Sequence, residues 1–589
     1  MGVTTPTAGD RALRVSARDA RLALPAAVRI AVPAAVVALA AVLRLVALGN
    51  SSPNPYYDAA VRTMSLSWHD FFYGVFAPGS GLAIDKPPVD LWLQVASTKA
   101  LGFTTPALLL PEALAGTLAV FLLFDLLRTL FGWAAGVAGA LALAVLPIAV
   151  ITARSDTMDS VMGALVLGAA ALIARAASHP DGRRGRLLLA AALYGLAFEV
   201  KILEALIALP ALLVLYWLSS PDAVGVRVRR LAAMTGVFVV VALSWLTAAS
   251  LSPAGARPWY IGSTNGSPWN ATFVFNGVDR ITGPPAHVVP RPTSGIVTRT
   301  PRKTAQERAA VRARVRRNHA AALQRRPAAA GPARLFASNA SLDVRIGIEL
   351  AAAWSALAAA LALGAWRRLD RLGRVGIVTL GGWLALGTLL FSVMRRLQPR
   401  YFEAFTPAVA GSLGVGVVLA AQAASARWGR PRAWSIGAAA LLALVLAVPL
   451  ATSVSAVARG STDSGRPGGM AAGRVASLSA YLRAHQGSAR YEVASLSAAK
   501  AGPLVVKDGR PVLILTSLYG QQLVSVPKLA AAVRSGQVRY ALAGANCTPG
   551  SGDRLAGCSA QAQWLRAHGT DVSRAAGQPN SGLVYRLSP

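Results

Sequence analysis

Residues 31–48 read AVPAAVVALAAVLRLVAL, an apolar run whose one charge is Arg44. With residues 27–30 added, it reaches the roughly 20 residues that an α-helix needs to cross a bilayer. Arg11, Arg14, Arg18, Arg21 and Arg29 come before most of it. No small-x-small cleavage site ends it, so it reads as a first membrane span with a cytoplasmic N-terminus and not as a cleaved signal.

The same test, carried outward, predicts spans near 27–48, 107–127, 133–153, 157–178, 187–201, 203–218, 231–252, 346–365, 375–394, 402–424 and 433–456. Glu199, Lys201 and Glu204 interrupt the 187–218 stretch and suggest a tight hairpin there. Spans that start inside put 179–186, 221–230, 366–374 and 425–432 in the cytoplasm. All four are Arg-rich, as cytoplasmic loops should be. The same parity puts 49–106, 253–345 and everything after about 457 outside. The expected fold is therefore a polytopic α-helical membrane protein of about 11 transmembrane helices. It has a basic tail (1–26), a membrane module (27–457) and a soluble extracytoplasmic domain (458–589).

Composition supports this solvent assignment. Of 589 residues, 54% are hydrophobic and 14% charged, against about 25% charged in soluble proteins. The net charge of +34 sits mainly between spans, with no zinc-finger, helix-turn-helix or RNP pattern. It fits membrane topology and anionic lipid, and no nucleic-acid partner is expected. The basic run Arg299–Arg326 is the exception, because it falls in an outer loop. It reads either as a helix on anionic head groups or as a disordered insertion. In the tail, β-like runs (491–495, 511–515, 538–543, 583–587) alternate with helix-like ones (475–485, 527–535, 560–568), the pattern of a small α/β domain. The two cysteines, Cys547 and Cys558, fit either a disulfide loop or two thiols, and no Cys-x2-Cys zinc pattern is present.

The first outer loop concentrates aromatic and ionisable residues: Asn54-Pro-Tyr-Tyr-Asp-Ala-Ala-Val-Arg, Ser67-Trp-His-Asp-Phe-Phe-Tyr-Gly and Ile84-Asp-Lys-Pro-Pro-Val-Asp-Leu-Trp-Leu. An interfacial belt accounts for the aromatic rings but not for Asp58, Asp85 and Lys86. Further charges stand near the outer ends of spans: Arg154, Asp156, Asp159, Lys201, and Arg395, Arg396 and Arg400 before Tyr401 and Glu403. Ionisable groups at membrane depth are costly unless they are paired or face a wet cavity. Carboxylates can accept a proton from an attacking hydroxyl or hold a divalent metal. Lysine and arginine can hold a phosphate. Gathered on one face, the set suits group transfer from a lipid-linked phosphate.

At these residues the sequence resembles the GT-C superfamily of polyprenyl-phosphate-sugar glycosyltransferases. The similar branches are the protein O-mannosyltransferases, the aminoarabinose transferases and above all the bacterial YkcB type. The resemblance rests on the order of Asn54–Met64, Ser67–Gly74, Asp85–Trp92, Ser155–Ser160, Gly195–Glu204, Gly262–Ser267, Phe275-Asn-Gly and Gln398-Pro-Arg-Tyr. It implies a polyprenyl-phosphate sugar donor, an envelope acceptor hydroxyl, reaction on the outer face of a bacterial plasma membrane and inversion at the anomeric carbon. It also implies that Lys86 contacts phosphate, that Asp159 is the acid opening the fourth span, and that Arg400 and Tyr401 lie near the lipid phosphate. Arg154, Asp156 and Lys201 join these as substrate-binding candidates. The family's acidic pair after the first span is replaced here by Pro53 and Asn54. The base is then Asp85 or Asp58, and dependence on a divalent metal stays open.

The expected function is a membrane glycosyltransferase whose tail helps position the acceptor. A transporter or flippase of lipid-linked sugars would also need charges within the membrane, but no internal repeat of the transporter kind is evident. A non-catalytic assembly protein is the other rival. It would tolerate Asp85→Asn and Lys86→Ala.

Overall fold

The computed structural model describes residues 25–588 except 53, 254, 283–329, 337–345, 395–396, 464–469, 519, 544–556 and 558. The basic run 299–326, both cysteines, Arg395, Arg396 and nearly all of the N-terminal tail lie outside the described residues.

Helix α1 (Ala26–Leu45) is the first expected span. The loop that follows carries α2 (Pro55–Met64), α3 (Trp68–Tyr73), the short strand β1 (Leu82–Ala83) and α4 (Val89–Leu101). The membrane body continues with α5 (Thr105–Phe131), α6 (Trp133–Val145), α7 (Pro147–Thr152), α8 (Asp159–Ser178), α9 (Arg183–Val200), α10 (Ile202–Leu206), α11 (Leu209–Ser219), α12 (Val224–Ala242) and α13 (Ser244–Leu251). Strand β2 (Trp259–Tyr260) leads to a π-helical segment, Asn270–Val278, and the body closes with α14 (Gly347–Ala362), α15 (Arg371–Val393), α16 (Thr406–Trp428) and α17 (Pro431–Ala458).

Among the described residues, 7 helices are long and apolar enough to cross a membrane, or 8 if the bent pair α12 and α13 is one span. The chain is a multi-pass membrane protein. The expected spans 133–153 and 346–365 fall on the shorter apolar helices α6 and α14. The 187–201 span falls on α9, which opens with Arg183, Arg184 and Arg186. The 187–218 stretch breaks at Lys201, whose backbone is extended.

Proline and buried arginine together explain one break. Pro147 opens α7 and has no N–H to give back to α6. The carbonyls so released must still be satisfied inside a membrane body. Arg44 donates to Ala144 O at 3.0 Å and Leu143 O at 3.2 Å, and Ser453 donates to Val145 O at 2.7 Å. Helices α6 and α16 cross so closely that a Cβ on Gly414 would sit on the Gly139 backbone, the small-residue packing usual in membranes.

The tail comprises α18 (Ala472–His485), β3 (Val493–Ser495), α19 (Ala498–Asp508), β4 (Val512–Ile514), α20 (Val526–Arg534), β5 (Tyr540–Leu542), α21 (Ala560–His568), β6 (Gly569–Asp571) and β7 (Val584–Leu587). Its sheet runs β4-β3-β5-β7-β6. Strand β3 is parallel to both neighbours, and β7 is antiparallel to β5 and β6. This is the small α/β domain expected from the alternating pattern. It rests on the loop after α1: Leu478, Leu504, Val512 and Ile514 share an apolar cluster with Ala59, Phe76 and Leu82.

Candidate active site

Three loops and two helix breaks meet at one recess. Asn54 caps α2 by accepting from the Tyr56 N–H at 3.3 Å, and its amide donates to Asp156 O at 3.1 Å. That fixes the start of α2 against the α7–α8 junction. Strands β1 and β2 pair in parallel, Leu82 with Trp259 and Ala83 with Tyr260. This pairing brings Asp85 and Lys86 to the π-helical segment, where the Asn276 amide donates to Asp85 O at 2.5 Å. Met158 takes a left-handed backbone, with φ of 68°, to turn the chain into α8. The short helical turn Pro399–Ala404 supplies Arg400 and Tyr401.

The recess is lined by Tyr57, Lys86, Thr157, Lys201, Ile202, Glu204, Asn276, Arg280, Arg400 and Tyr401. Four cations therefore face it. Each has a carboxylate behind it. Lys86 Nζ lies 2.6 Å from Asp85 Oδ2 and donates to the Tyr57 hydroxyl at 3.0 Å. Lys201 pairs with Asp159 and approaches Glu204 at 3.9 Å. Arg280 is 3.8 Å from Asp85 and donates to Asn276 Oδ1 at 2.9 Å. Arg400 is 3.8 Å from Asp463. Tyr401 lies under two of them, with Lys201 Nζ 5.2 Å and Arg400 Cζ 5.8 Å from its ring. Such contacts suit an amphipathic ring beside cations.

Burial alone would raise the Asp85 carboxyl, but Lys86 and Arg280 outweigh it and hold the group below the ordinary carboxylate value. Lys86 is raised in turn: burial opposes its charge, and Asp85 more than compensates. Both are charged at neutral pH.

Asp58 faces elsewhere. It hydrogen-bonds to Asp156, and burial pushes it up to about 7. Gln94 donates to Asp156 Oδ1 at 2.7 Å and to Asp90 Oδ2 at 2.9 Å, while Glu112 accepts from the Ser160 N–H at 2.9 Å. The Asp156 carboxyl is also raised, by burial first and by Asp58 next. These acids form a buried cluster behind α2. Arg154 lies outside the recess as well. Its guanidinium donates to Val46 O at 2.8 Å, Ala47 O at 3.0 Å and Arg44 O at 3.1 Å, which closes the C-terminus of α1. Among the described residues, no group of three or more His, Cys, Asp or Glu side chains is arranged to hold a metal ion.

Of the residues expected from sequence, Lys86, Lys201, Arg400 and Tyr401 line the recess, and Asp85 and Asp159 stand directly behind it. Asp58, Asp156 and Arg154 do not line it. Tyr57, Asn276, Arg280 and Asp463 were not expected. Tyr57 lies inside a quoted motif, and Asn276 in another. Arg280, in the short helix Asp279–Thr282, and Asp463, in the segment after α17, become neighbours of the site only through tertiary pairing.

The fold has known counterparts. A crystal structure of ArnT from Cupriavidus metallidurans in the apo state superposes with a TM-score of 0.54 at 16% identity, over 94% of this chain and 98% of that one. An archaeal oligosaccharyltransferase AglB from Archaeoglobus fulgidus does so with a TM-score of 0.52 at 14% identity, over 87% and 69%. The family described as Dolichyl-phosphate-mannose-protein mannosyltransferase matches residues 85–245, and the "Putative mannosyltransferase YkcB-like, C-terminal" family matches 478–568. Two separate stretches of the chain are thus similar to mannosyltransferase families, one of them described as YkcB-like. Two relatives from Bacillus subtilis (strain 168) are similar to it in sequence. "Putative mannosyltransferase YycA" is 35% identical over 40% of this chain and 34% of its own length. "Putative mannosyltransferase YkcB" is 34% identical over 40% and 32%. The chain thus matches about a third of the length of these relatives. The family match at 85–245 opens on Asp85 and takes in Lys86, Asp159 and Lys201, whereas Arg280, Arg400 and Asp463 lie beyond it.

Proposed function

We propose that this chain is a glycosyltransferase that moves a sugar from a polyprenyl phosphate to a hydroxyl of an extracytoplasmic envelope acceptor, a lipid, glycan or protein. The observation that carries this reading is the convergence of Lys86, Lys201, Arg280 and Arg400 on one recess, with the Asp85 carboxylate in contact with Lys86. Cations held in place by carboxylates are a preorganised site for a phosphate that gains charge during reaction. An ArnT structure bound to undecaprenyl phosphate and an AglB structure with a dolichol-phosphate share the fold and support a lipid-phosphate donor.

In this reading the donor phosphate takes the place between the cations, with Tyr57 and Tyr401 beside it. The acceptor hydroxyl gives its proton to Asp85. Its oxygen bonds the anomeric carbon as the carbon–oxygen bond to phosphate breaks, and the electron pair stays on the phosphate. One displacement of this kind inverts the anomeric centre. Donor phosphate also draws Lys86 and Arg280 away from Asp85, which raises that carboxylate's proton affinity when it is needed. Asp85 is preferred to Asp58 because it adjoins the recess, while Asp58 is buried beside Asp156 behind α2. Arg154 and Asp156 serve the frame in this scheme.

The Arg-rich loops support a bacterial plasma-membrane protein with 11 spans, a cytoplasmic N-terminus, and the recess and tail domain (458–589) on the outer side. The test is to incubate the purified protein with a panel of polyprenyl-phosphate sugars. Sugar release or transfer is expected from at least one. Asp85→Asn should lower turnover by about 10²–10⁴-fold while the protein stays folded in detergent. Full turnover by Asp85→Asn removes Asp85 as the base, and no reaction with any donor favours a transporter or an assembly protein.

A further inference from the structure

Arg400 is held by a residue from the far end of the membrane module. Asp463 lies in the segment that leaves α17 for the tail, and it is buried. Its Oδ2 accepts from the Arg400 backbone N–H at 2.8 Å, and its carbonyl accepts from Arg400 Nη1 at 3.2 Å. The Asp463 N–H donates to Ser155 Oγ at 2.7 Å, which ties it to the α7–α8 junction. Nearby, Gly460 has φ of 61° and lies so close to the Asn50 carbonyl that a Cβ would overlap it. The Ser52 N–H donates to Gly460 O at 3.4 Å. The exit path of α17 is thus laid down on the first outer loop, and Asp463 is fixed before it meets Arg400.

A free arginine side chain holds considerable rotamer entropy. Ordering it in advance removes that cost from phosphate binding. Asp463 orders both the main chain and one edge of the guanidinium. Nε and Nη2 have no other hydrogen-bond partner among the described residues, and Arg400 lines the recess.

We propose that Asp463 is a positioning residue that aims Arg400 at the donor phosphate, so that the chain's path into the tail domain helps set donor affinity. This rests on the phosphate-binding reading of the recess. It makes the tail a contributor to the donor side as well as the acceptor side.

The test is a double-mutant cycle on the full chain in lipid nanodiscs, read as binding of a polyprenyl phosphate and as donor KM and kcat. Arg400→Ala and Asp463→Ala should each weaken binding about tenfold or more, the scale of one charge-assisted hydrogen bond. The double variant should bind no more weakly than Arg400→Ala alone. Asp463→Ala should raise donor KM and leave kcat at saturating donor within about twofold. Asp463→Asn keeps an acceptor for the Arg400 N–H and should recover part of the loss, which also covers the case in which the alanine variant folds poorly. The proposal is overturned if Asp463→Ala binds like the unsubstituted protein, or weakens binding by the same factor when Arg400 is already alanine. If the unsubstituted protein shows no saturable polyprenyl-phosphate binding, the reading of the recess itself fails.

Discussion

Arg44 and Lys86 are both buried cations near a span end, and they do different work. Arg44 spends its guanidinium on the carbonyls that Pro147 leaves free. Lys86 makes two contacts, to Asp85 and Tyr57, and faces the recess with its remaining capacity. Arg44→Ala should therefore lower stability by roughly 2 kcal/mol or more, seen as a fall in detergent melting temperature. A melting temperature equal to that of the unsubstituted protein would contradict this role. Lys86→Ala should leave melting nearly unchanged and weaken donor binding about tenfold. The sequence marks both as unusual because charge at membrane depth is costly. It cannot tell them apart, since the carbonyls that claim Arg44 and Arg154 belong to other helices. For the same reason Asp85 and Asp58 look alike as candidate bases until α2 is seen to turn Asp58 toward Asp156.

At the scale of elements, α19 is pressed against α2, the helix that carries Tyr56 and Tyr57. A Cβ on Gly502 would lie 2.5 Å from the Pro55 carbonyl. Gly502→Val should push α2 aside and reduce turnover at least tenfold while the tail stays folded; unchanged turnover would show that this contact does not matter to the site. The tail also carries its own pH dependence. Burial, with Asp508 beside it, pushes the Glu492 carboxyl up to about 8. Its folded value exceeds its unfolded one, so its favourable contribution is full below about 4.5 and is lost as pH rises through about 8. Melting of the tail should fall across that window, and Glu492→Gln should flatten the dependence; an equally steep fall in the variant would assign it to another group. Most tail elements were legible as short β-branched or helical runs. Helix α19 was not, because Gly502 and Pro503 interrupt its pattern and tertiary packing overrides them. Strand β6 was hidden because it is only 3 residues long, Gly569–Asp571, and has no alternating apolar pattern.

At the scale of the molecule, long apolar runs disclosed the membrane body, and the Arg-rich loops are the basis of the proposed direction of crossing. The span count was less legible: α6 and α14 are short, and α9 begins with arginines, so length and apolarity alone do not separate spans from buried helices. The recess itself was legible as a list of charges on one face. Its exact membership depends on the β1–β2 pairing and on the path after α17, neither of which has a local signal. The proposed topology predicts that, with Cys547→Ser and Cys558→Ser as background, an impermeant thiol reagent labels Ser535→Cys in intact cells and Asp181→Cys only after lysis. The reverse pattern would invert the protein. The most direct measurement of the central claim is a structure of the chain in nanodiscs with a polyprenyl phosphate. The account predicts phosphate oxygens about 3 Å from Lys86, Lys201 and Arg400, with the lipid chain running into the bilayer. A phosphate seated anywhere else on the protein, with these side chains still closed on their carboxylates, would contradict it.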